Sequence, residues 1–442
     1  MAGADASELT DWIERLAREA CALRLEDMGP DQATAVGLIV ADTAGVIHAG
    51  ARSPEMVGLI RHELARCAPA PAGARVLAAG GRRTDPATAA WLNGAAVAFL
   101  EMDEGCRPTG HPAAHVVPAA LAAAASARAP GRLLVEAVAA GYEVAARLFE
   151  AFAFPRAWHP HGHLGALGAA TAVARIRGLD PVPAVRIAAT QPLLTGWDAC
   201  YAGATARNLW IGHANRLGVT AQAWADAGFT GSTGSLASTV LDCLAVPGAL
   251  TDPIDPADLR LRRNYFKLHS ACALAQGAID AALSARPRLA VGCSDRLRSV
   301  EVATVAANMR IARPAEPNAL STRFSLPYAV AAALVHGAVG PAEMIWDARV
   351  AELAERVTVA VDPDLDARWP GDAPARVRLV TDSGTAEATV MNPKGHHAHP
   401  PSAGDLADKF TRLVAGAACE GDFHALAGLA EAPNCAELPV PV

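Results

Sequence analysis

The sequence predicts a mainly α-helical protein that combines a large all-helical domain with a smaller α+β domain. Three observations lead to this prediction. Roughly the first 245 residues give one helical pattern after another, strand patterns begin only near residue 298, and the last forty or so residues return to a helical pattern. A chain of 442 residues also exceeds what one hydrophobic core usually organises, which favours two domains.

The helical half is rich in small apolar residues, since 52% of the chain is hydrophobic but only 5% is aromatic. Asp31 is placed to cap a first helix, and Pro86 suits the first position of another over residues 86–100. In residues 131–150, apolar side chains recur every three or four positions along one face. Residues 162–177 form a further predicted helix whose small residues would allow close helix contacts.

The pattern changes near residue 247, where a Pro- and Asp-rich segment predicts a loop through residue 258. A helix over 271–285 is followed by predicted strands at 298–305 and 357–361, with an apolar helix at 327–335 between them. Segments 376–380 and 385–391 flank a turn at 382–384 and predict a hairpin. We therefore predict a helical domain over 1–264, completed by 400–442 with a helix at 404–416, and an α+β domain over 265–399.

Composition and charge argue against several functions. The formal charge is −7 and no basic stripe suggests nucleic-acid binding. No basic segment followed by an apolar one opens the chain, and no purely apolar stretch reaches the roughly 18 residues of a membrane span. The nine Cys are odd in number and include no CxxC pair, so we expect no disulfide framework or structural zinc site, and a cytoplasmic location.

The first candidate functional cluster is the segment from Glu101 to His115, which follows the helix at 86–100. It holds three carboxylates, Arg107 and two His within fifteen residues, and its Pro and Gly residues force the chain out of helix. A junction of this kind can present polar side chains to a cavity from a rigid support. The alternative is an ordinary solvated, charged loop.

A second cluster alternates His159, His161 and His163 just before a predicted helix N-terminus, which favours an anion. The HxHxH spacing is also compatible with a bound metal ion, but no acidic partner or well-spaced fourth ligand follows nearby. We therefore expect His161 and His163 to face solvent and His159 to be the functional candidate.

Other candidates are isolated residues. Lys267 and His269 would point to one side of an extended chain at the predicted domain junction, where ligand clefts are common. Tyr142 lies on an apolar helix face, so it is either a core tyrosine or an acid. Arg207 could hold a carboxylate bidentately or form a surface ion pair. The chain has no GxSxG, P-loop or HExxH motif and no dinucleotide fingerprint.

Several segments, in order along most of the chain, resemble the 2-methylcitrate dehydratase (MmgE/PrpD) family. They are Trp91-Leu-Asn-Gly with the following acidic stretch and His111-Pro, Gly141-Tyr-Glu-Val-Ala-Ala-Arg, His159-Pro, Arg323-Phe-Ser-Leu-Pro-Tyr, Asn392-Pro-Lys-Gly and Lys409-Phe410. The resemblance implies a helical domain with an α+β lid, a homodimer, a small carboxylate as substrate, and chemistry without metal or organic cofactor. It implies catalytic roles for His111, His159, Tyr142, Lys267 and His269, and substrate-binding roles for Glu101, Asp103 and Arg207.

The family includes dehydratases, decarboxylases and epimerases, so the expected function is a lyase acting beside a carboxylate by carbanion or enolate chemistry. An epimerase using two acid–base groups is the alternative, and a non-catalytic binding protein is a third. The sequence also departs from the decarboxylase pattern, which has Asp, Thr, Lys and His at positions 101, 105, 207 and 210. Here these are Glu101, Gly105, Arg207 and Trp210, so we expect a substrate other than that of a plain cis-aconitate decarboxylase.

Overall fold

A computed structural model describes most of the chain, and its fold is the predicted one. The described residues are 6–77, 79–153, 155, 157–159, 161–162, 164–191, 195–239, 246–247, 250, 253–288, 297–382 and 384–442. They are mainly helical, and the few strands are concentrated in the second half. The predicted fold class, mainly α with a smaller α+β part, is thereby confirmed.

The first half is a stack of helices around one apolar core. The helices are α1 (Ala6–Cys21), α2 (Pro30–Ala51), α3 (Pro54–Arg66), α4 (Pro86–Val97), α5 (Pro112–Ala127), α6 (Gly131–Ala151), α7 (Gly165–Arg177), α8 (Val182–Ala189), α9 (Asp198–Ala202), α10 (Leu209–Asp226) and α11 (Thr233–Thr239). Helix α10 packs against α4 and α7, and α6 packs against α5 and α7. Short antiparallel strand pairs tie the connecting loops: β1 (Ala74–Arg75) with β2 (Arg83–Thr84), β3 (Gly105–Cys106) with β6 (Asn264–Tyr265), and β4 (Phe152–Ala153) with β5 (Val246–Pro247).

Local sequence explains several helix ends. The Asp85 side chain accepts a hydrogen bond from the Thr88 backbone N–H and caps α4, with Pro86 at its first position. Asp31 was expected to cap α2, but the helix already begins at Pro30, so Asp31 lies in its first turn. The predicted close contact of small residues occurs where α6 crosses α7: a Cβ on Gly168 would lie 2.5 Å from the Gly141 carbonyl oxygen.

Helix α2 is long and apolar enough to cross a membrane, and it is the one such helix in the described part of the chain. Most of it is buried, however, between α4 and two helices near the chain end, α17 (Ala403–Val414) and α18 (Phe423–Ala427). We therefore interpret α2 as a core helix.

The second half builds its own apolar core around a four-stranded sheet. The sheet order is β10–β9–β7–β8, from β7 (Leu297–Thr304), β8 (Val357–Val361), β9 (Ala375–Thr381) and β10 (Gly384–Val390). β7 pairs parallel with β8, whereas β7 with β9 and β9 with β10 are antiparallel. The helices here are α12 (Gln276–Ala285), α13 (Ala319–Arg323), α14 (Leu326–His336), α15 (Ala348–Ala354) and α16 (Pro363–Asp366).

The expected hairpin is β9 and β10, although Ser383 in its turn lies outside the described residues. Helices α17 and α18 contribute Leu406, Phe410, Phe423 and Leu426 to the first core, so the chain end packs on the helical half. The boundaries at residues 264 and 400 stay a prediction.

Candidate active site

The acidic segment after α4 is held in an unusual backbone conformation. Glu101 has a φ of 51°, in the left-handed region that non-glycine residues rarely adopt, and such a residue costs of order 1 kcal/mol or more. Its buried carboxylate compensates by accepting hydrogen bonds from Arg207 Nη1 at 2.7 Å and Lys267 Nζ at 3.1 Å. The two cations therefore fix where the segment turns away from α4.

Two further contacts brace this loop from distant parts of the chain. Ser270 Oγ donates to the Leu100 carbonyl oxygen at 2.6 Å, and Lys409 Nζ of α17 donates to the Met102 carbonyl oxygen at 2.8 Å. Lys409 is itself paired with buried Asp42 of α2 at 2.8 Å. The position of the acidic segment thus depends on contacts from both halves of the chain and from helix α17.

Asp103 is the centre of a buried ion network. Its Oδ1 lies 2.8 Å from Lys267 Nζ and its Oδ2 lies 2.8 Å from His111 Nδ1. Burial raises the pKa of Asp103, but attraction by Lys267 and then His111 outweighs it and holds that pKa well below its usual range. Burial lowers the pKa of Lys267, but Asp103 and Glu101 raise it well above the ordinary value. Asp103 is therefore ionised and Lys267 protonated at neutral pH.

This network decides which nitrogen of His111 carries the proton. Nδ1 faces the ionised Asp103 carboxylate and also lies 3.1 Å from the Glu104 carbonyl oxygen, and both groups only accept hydrogen bonds. We assign the proton of the neutral ring to Nδ1 on that ground. The lone pair of Nε2 is then free, and His111 lines a cavity, which gives it the arrangement of a general base.

His159 has the opposite arrangement. Its Nδ1 accepts a hydrogen bond from the His161 backbone N–H at 3.2 Å, so the neutral ring carries its proton on Nε2. Burial, followed by the positive charges of Arg207 and His111, holds the pKa of His159 well below its usual range. The same cavity is therefore lined by His111, whose Nδ1 faces Asp103, and by a neutral His159 that can donate a hydrogen bond from Nε2.

His161 was expected to face solvent, and that prediction is wrong. Its side chain is buried, with Nδ1 3.2 Å from Arg207 Nη2 and its ring packed edge-on against His111 at 4.5 Å between centroids. The loop has no strand periodicity here, so alternation along the sequence did not separate inside from outside. His163 lies outside the described residues.

The cavity has a volume of about 290 Å³ and lies between the two apolar cores. The helical half supplies Glu101, His111 and His159, while Trp197, Cys272 and Phe324 belong to the second core. Arg107, Tyr265, Arg310 and Trp369 complete its polar and aromatic lining. Of the eight predicted site residues, the cavity lining includes Glu101, His111 and His159.

The other predicted residues lie behind the cavity or elsewhere. Asp103, Lys267 and Arg207 are buried beneath the lining residues, and Arg207 holds the Glu101 carboxylate rather than facing the cavity. Tyr142 donates to Glu104 Oε1 at 2.6 Å. Burial raises the pKa of the Tyr142 phenol and of the Glu104 carboxyl well above their usual ranges, so both groups are neutral. Tyr142 therefore has the surroundings of a hydrogen-bonded core tyrosine.

His269 lies on a different cavity, of about 690 Å³, on the other side of the acidic loop. Its Nε2 is 2.7 Å from Asp280 Oδ1. Cys272, three residues later, lines the cavity with His111, as do the next two residues. Burial raises the pKa of the Cys272 thiol to about 12, so it is neutral.

Sequence reasoning missed several cavity residues, and three of them lie together. Arg107 was noted only as part of a charged segment, and Tyr265 and Trp369 were not singled out. The Arg107 guanidinium lies over the Tyr265 ring at 4.8 Å and the Trp369 ring at 5.0 Å. No local pattern could have indicated this, because the three residues come from distant parts of the chain. In the described part of the chain, no group of three or more His, Cys, Asp or Glu side chains is arranged to hold a metal ion.

Comparison with known proteins gives two family matches and two relatives. The family model of the MmgE/PrpD N-terminal domain matches residues 14–240, and that of the C-terminal domain matches residues 269–425. Human cis-aconitate decarboxylase is 28% identical over 308 residues, which cover 64% of this chain and 63% of the human protein. The mouse protein of the same name is 24% identical over 377 residues, 79% of this chain and 76% of its own length. The chain thus spans less than two thirds of the human relative.

Proposed function

This chain belongs to the MmgE/PrpD family, and on that premise we propose that it is a lyase acting beside a carboxylate group. The proposed chemistry is acid–base catalysis through a carbanion or enolate, without a metal or organic cofactor. The observation that carries it is His111, whose Nδ1 is held by Asp103 at 2.8 Å and by the Glu104 carbonyl at 3.1 Å while its ring lines the cavity. That arrangement leaves Nε2 as a base of fixed direction.

Both proposed reactions include a proton transfer between the substrate and His111. In a dehydration, Nε2 removes the proton on the carbon next to the carboxylate, and the electron pair enters the carboxylate as an enolate. The hydroxyl group of the neighbouring carbon then takes that proton from His111 and leaves as water, while the electron pair of the enolate forms the double bond. In a decarboxylation, the bond to carbon dioxide breaks first and leaves its electron pair on the adjacent carbon. His111, in its protonated form, then delivers a proton there.

The remaining residues stabilise negative charge in this proposal. The Nε2–H of His159 and the guanidinium of Arg107 face the same cavity as His111 and would hold the developing enolate. Lys267 and Arg207, which lie beneath the lining residues, neutralise the charges of Asp103 and Glu101. The relatives are decarboxylases by name, which favours decarboxylation over dehydration. An epimerase would require a second base on the opposite face of the substrate.

The test is proton NMR of the purified protein with a panel of carboxylates in deuterated water. We expect deuterium to appear at a carbon next to a carboxylate, with loss of water or carbon dioxide measured by mass. Replacement of His111 by Gln should abolish both signals. Exchange with inversion and no mass loss would identify an epimerase, and no exchange or turnover in the wild-type protein would overturn the proposal.

A homodimer is also proposed on the family resemblance, and a cytoplasmic location on the odd number of Cys and the absence of a CxxC pair in the sequence. Light scattering of the purified full chain would test the first, and fractionation of the source cells the second. A monomer at micromolar concentration, or recovery with membranes, would contradict the respective proposal.

A further inference from the structure

The cavity residue that the proposed chemistry explains least is Arg107. Its side chain is 7% exposed, and its Nε atom is buried without a hydrogen-bond partner among the described residues. The guanidinium is stacked between Tyr265 and Trp369, which supply cation–π attraction but no hydrogen-bond acceptor for its planar edge. A buried guanidinium with an unused edge is costly unless an anion binds it.

The charges around the cavity support that conclusion. Of the three carboxyl groups of the acidic loop, Glu101 is paired with Arg207, Asp103 with Lys267, and Glu104 accepts a hydrogen bond from Tyr142. No carboxylate in the described part of the chain lies within ion-pair distance of Arg107. The neighbouring His396 and His397 have pKa values lowered by burial and then by Arg107 itself, and a histidine supplies no negative charge.

Much of the rest of the lining is apolar and aromatic, although Arg310, Thr109 and His159 add polar groups. Trp197, Phe324 and Trp369 face the same space as Leu274 and the neutral thiol of Cys272. Contact between these groups and the charges of a small tricarboxylate is unfavourable. A ligand with an apolar part would instead gain from contact with the aromatic rings.

Gly105 is what allows this lining to form. A Cβ at position 105 would lie 2.2 Å from Tyr265 Oη and 2.3 Å from its Cζ, far closer than atoms approach one another. Tyr265 can therefore lie against the acidic loop, and support Arg107, only because residue 105 has no side chain.

We propose that Arg107 is the anchor for a substrate carboxylate, and that the cavity takes a carboxylate bearing an apolar, preferably aromatic, substituent rather than a small tricarboxylate. The carboxylate pairs bidentately with the free edge of the Arg107 guanidinium. The substituent lies against Trp369, Trp197 and Phe324, close to His111. This inference rests on the proposed function, because it names the substrate class of the same site.

The experiment measures binding rather than turnover, by titration calorimetry of the full chain. The probes are phenylsuccinate, succinate, citrate and the uncharged diamide of phenylsuccinate. We expect phenylsuccinate to bind at least ten-fold more tightly than succinate or citrate, and the diamide not to bind. Arg107→Gln should weaken phenylsuccinate binding at least ten-fold. Arg263→Gln, which removes a half-exposed guanidinium on the neighbouring loop, should leave binding unchanged.

A second variant separates the aromatic contact from the charge. Trp369→Ala should lower the affinity for phenylsuccinate towards that for succinate, while the affinity for succinate changes little. This variant still tests the inference if Arg107→Gln does not fold. Citrate binding more tightly than phenylsuccinate, or variants at 107 and 369 that bind as the wild type does, would overturn the inference. Binding of phenylsuccinate, with no turnover or deuterium exchange of any carboxylate in the panel, would instead refute the proposed function. Turnover of a small tricarboxylate at the same rate in the wild type and in Arg107→Gln would refute this inference alone.

Discussion

Replacing Asp103 by Asn removes one charge from the centre of the ion network while keeping the shape of the side chain. Oδ1 faces Lys267 Nζ at 2.8 Å, and Oδ2 faces His111 Nδ1 at 2.8 Å. Lysine only donates hydrogen bonds, so the amide oxygen must turn towards Lys267. The amide NH₂ then faces Nδ1 of His111 and favours the tautomer in which Nδ1 accepts and the ring proton lies on Nε2. In that tautomer the base that faces the cavity is lost.

The expected magnitude follows from these contacts. The equivalent Asp-to-Asn change in a Ser-His-Asp triad costs about 10⁴ in turnover because it fixes the wrong tautomer. Here the Glu104 carbonyl, 3.1 Å from Nδ1, still favours the correct one, so we expect a loss of about 10³. Removing one partner of a buried ion pair costs about 3–5 kcal/mol. Because Glu101 still pairs with Lys267 at 3.1 Å, we expect about 3 kcal/mol.

Two measurements check the prediction. One is turnover or deuterium exchange with any active carboxylate from the panel. The other needs no substrate: ¹⁵N NMR of the histidine rings, with His111→Gln to assign the signal, should show the proton on Nδ1 in the wild type and on Nε2 in Asp103→Asn. Thermal unfolding should show the loss of stability.

Glu143→Gln is the matched control. Glu143 is equally buried, with one oxygen 2.5 Å from Arg147 Nε and the other 2.6 Å from the Arg260 backbone N, but it does not line the cavity. It should lose stability by a comparable amount and keep its turnover within about two-fold. The reasoning is refuted if folded Asp103→Asn keeps more than a tenth of the activity, or if the His111 tautomer does not change.

Three further predictions concern other parts of the molecule. His159→Phe should lower turnover about 100-fold, because phenylalanine has no N–H to donate to the enolate. Unchanged turnover at saturating substrate would contradict this role. Burial lowers the pKa of His396 from 6.5 to about 3. Between these two pH values the unfolded chain therefore binds one more proton than the folded chain does. The stabilisation that comes from keeping His396 neutral is complete above pH 6.5 and is lost as the pH falls towards 3. We expect His396→Asn to reduce the slope of the unfolding free energy against pH by about 1.4 kcal/mol per pH unit, measured by denaturant unfolding between pH 6 and 4. An unchanged slope would show that His396 is not the group responsible. Gly105→Ala should lower the unfolding free energy by about 1–3 kcal/mol and weaken carboxylate binding, because the new Cβ displaces Tyr265. The control Gly58→Ala, at an exposed position of α3, should be neutral or slightly stabilising. Equal effects of the two substitutions on binding and on calorimetric unfolding would refute the steric argument.

The sequence determined the features that depend on neighbouring residues. Apolar periodicity, small-residue contacts and turn residues located several of the helices, the strands of the four-stranded sheet and its hairpin to within a few residues. The same local reasoning identified the acidic segment after α4, because three carboxylates and two His after an apolar helix are visible along the chain. Together with the family resemblance, which assigned their roles, this allowed Glu101, His111 and His159 to be named before the fold was known.

The tertiary structure decided which of those polar groups face the cavity. Arg207 and Lys267 are buried beneath it as partners of carboxylates, Tyr142 is held by Glu104, and His269 lies on another cavity. These outcomes depend on distances between residues far apart in the chain, and such distances are set by helix packing rather than by local propensity. The stacking of Arg107 between Tyr265 and Trp369 is of the same kind, because each ring is brought to the guanidinium by a different part of the fold.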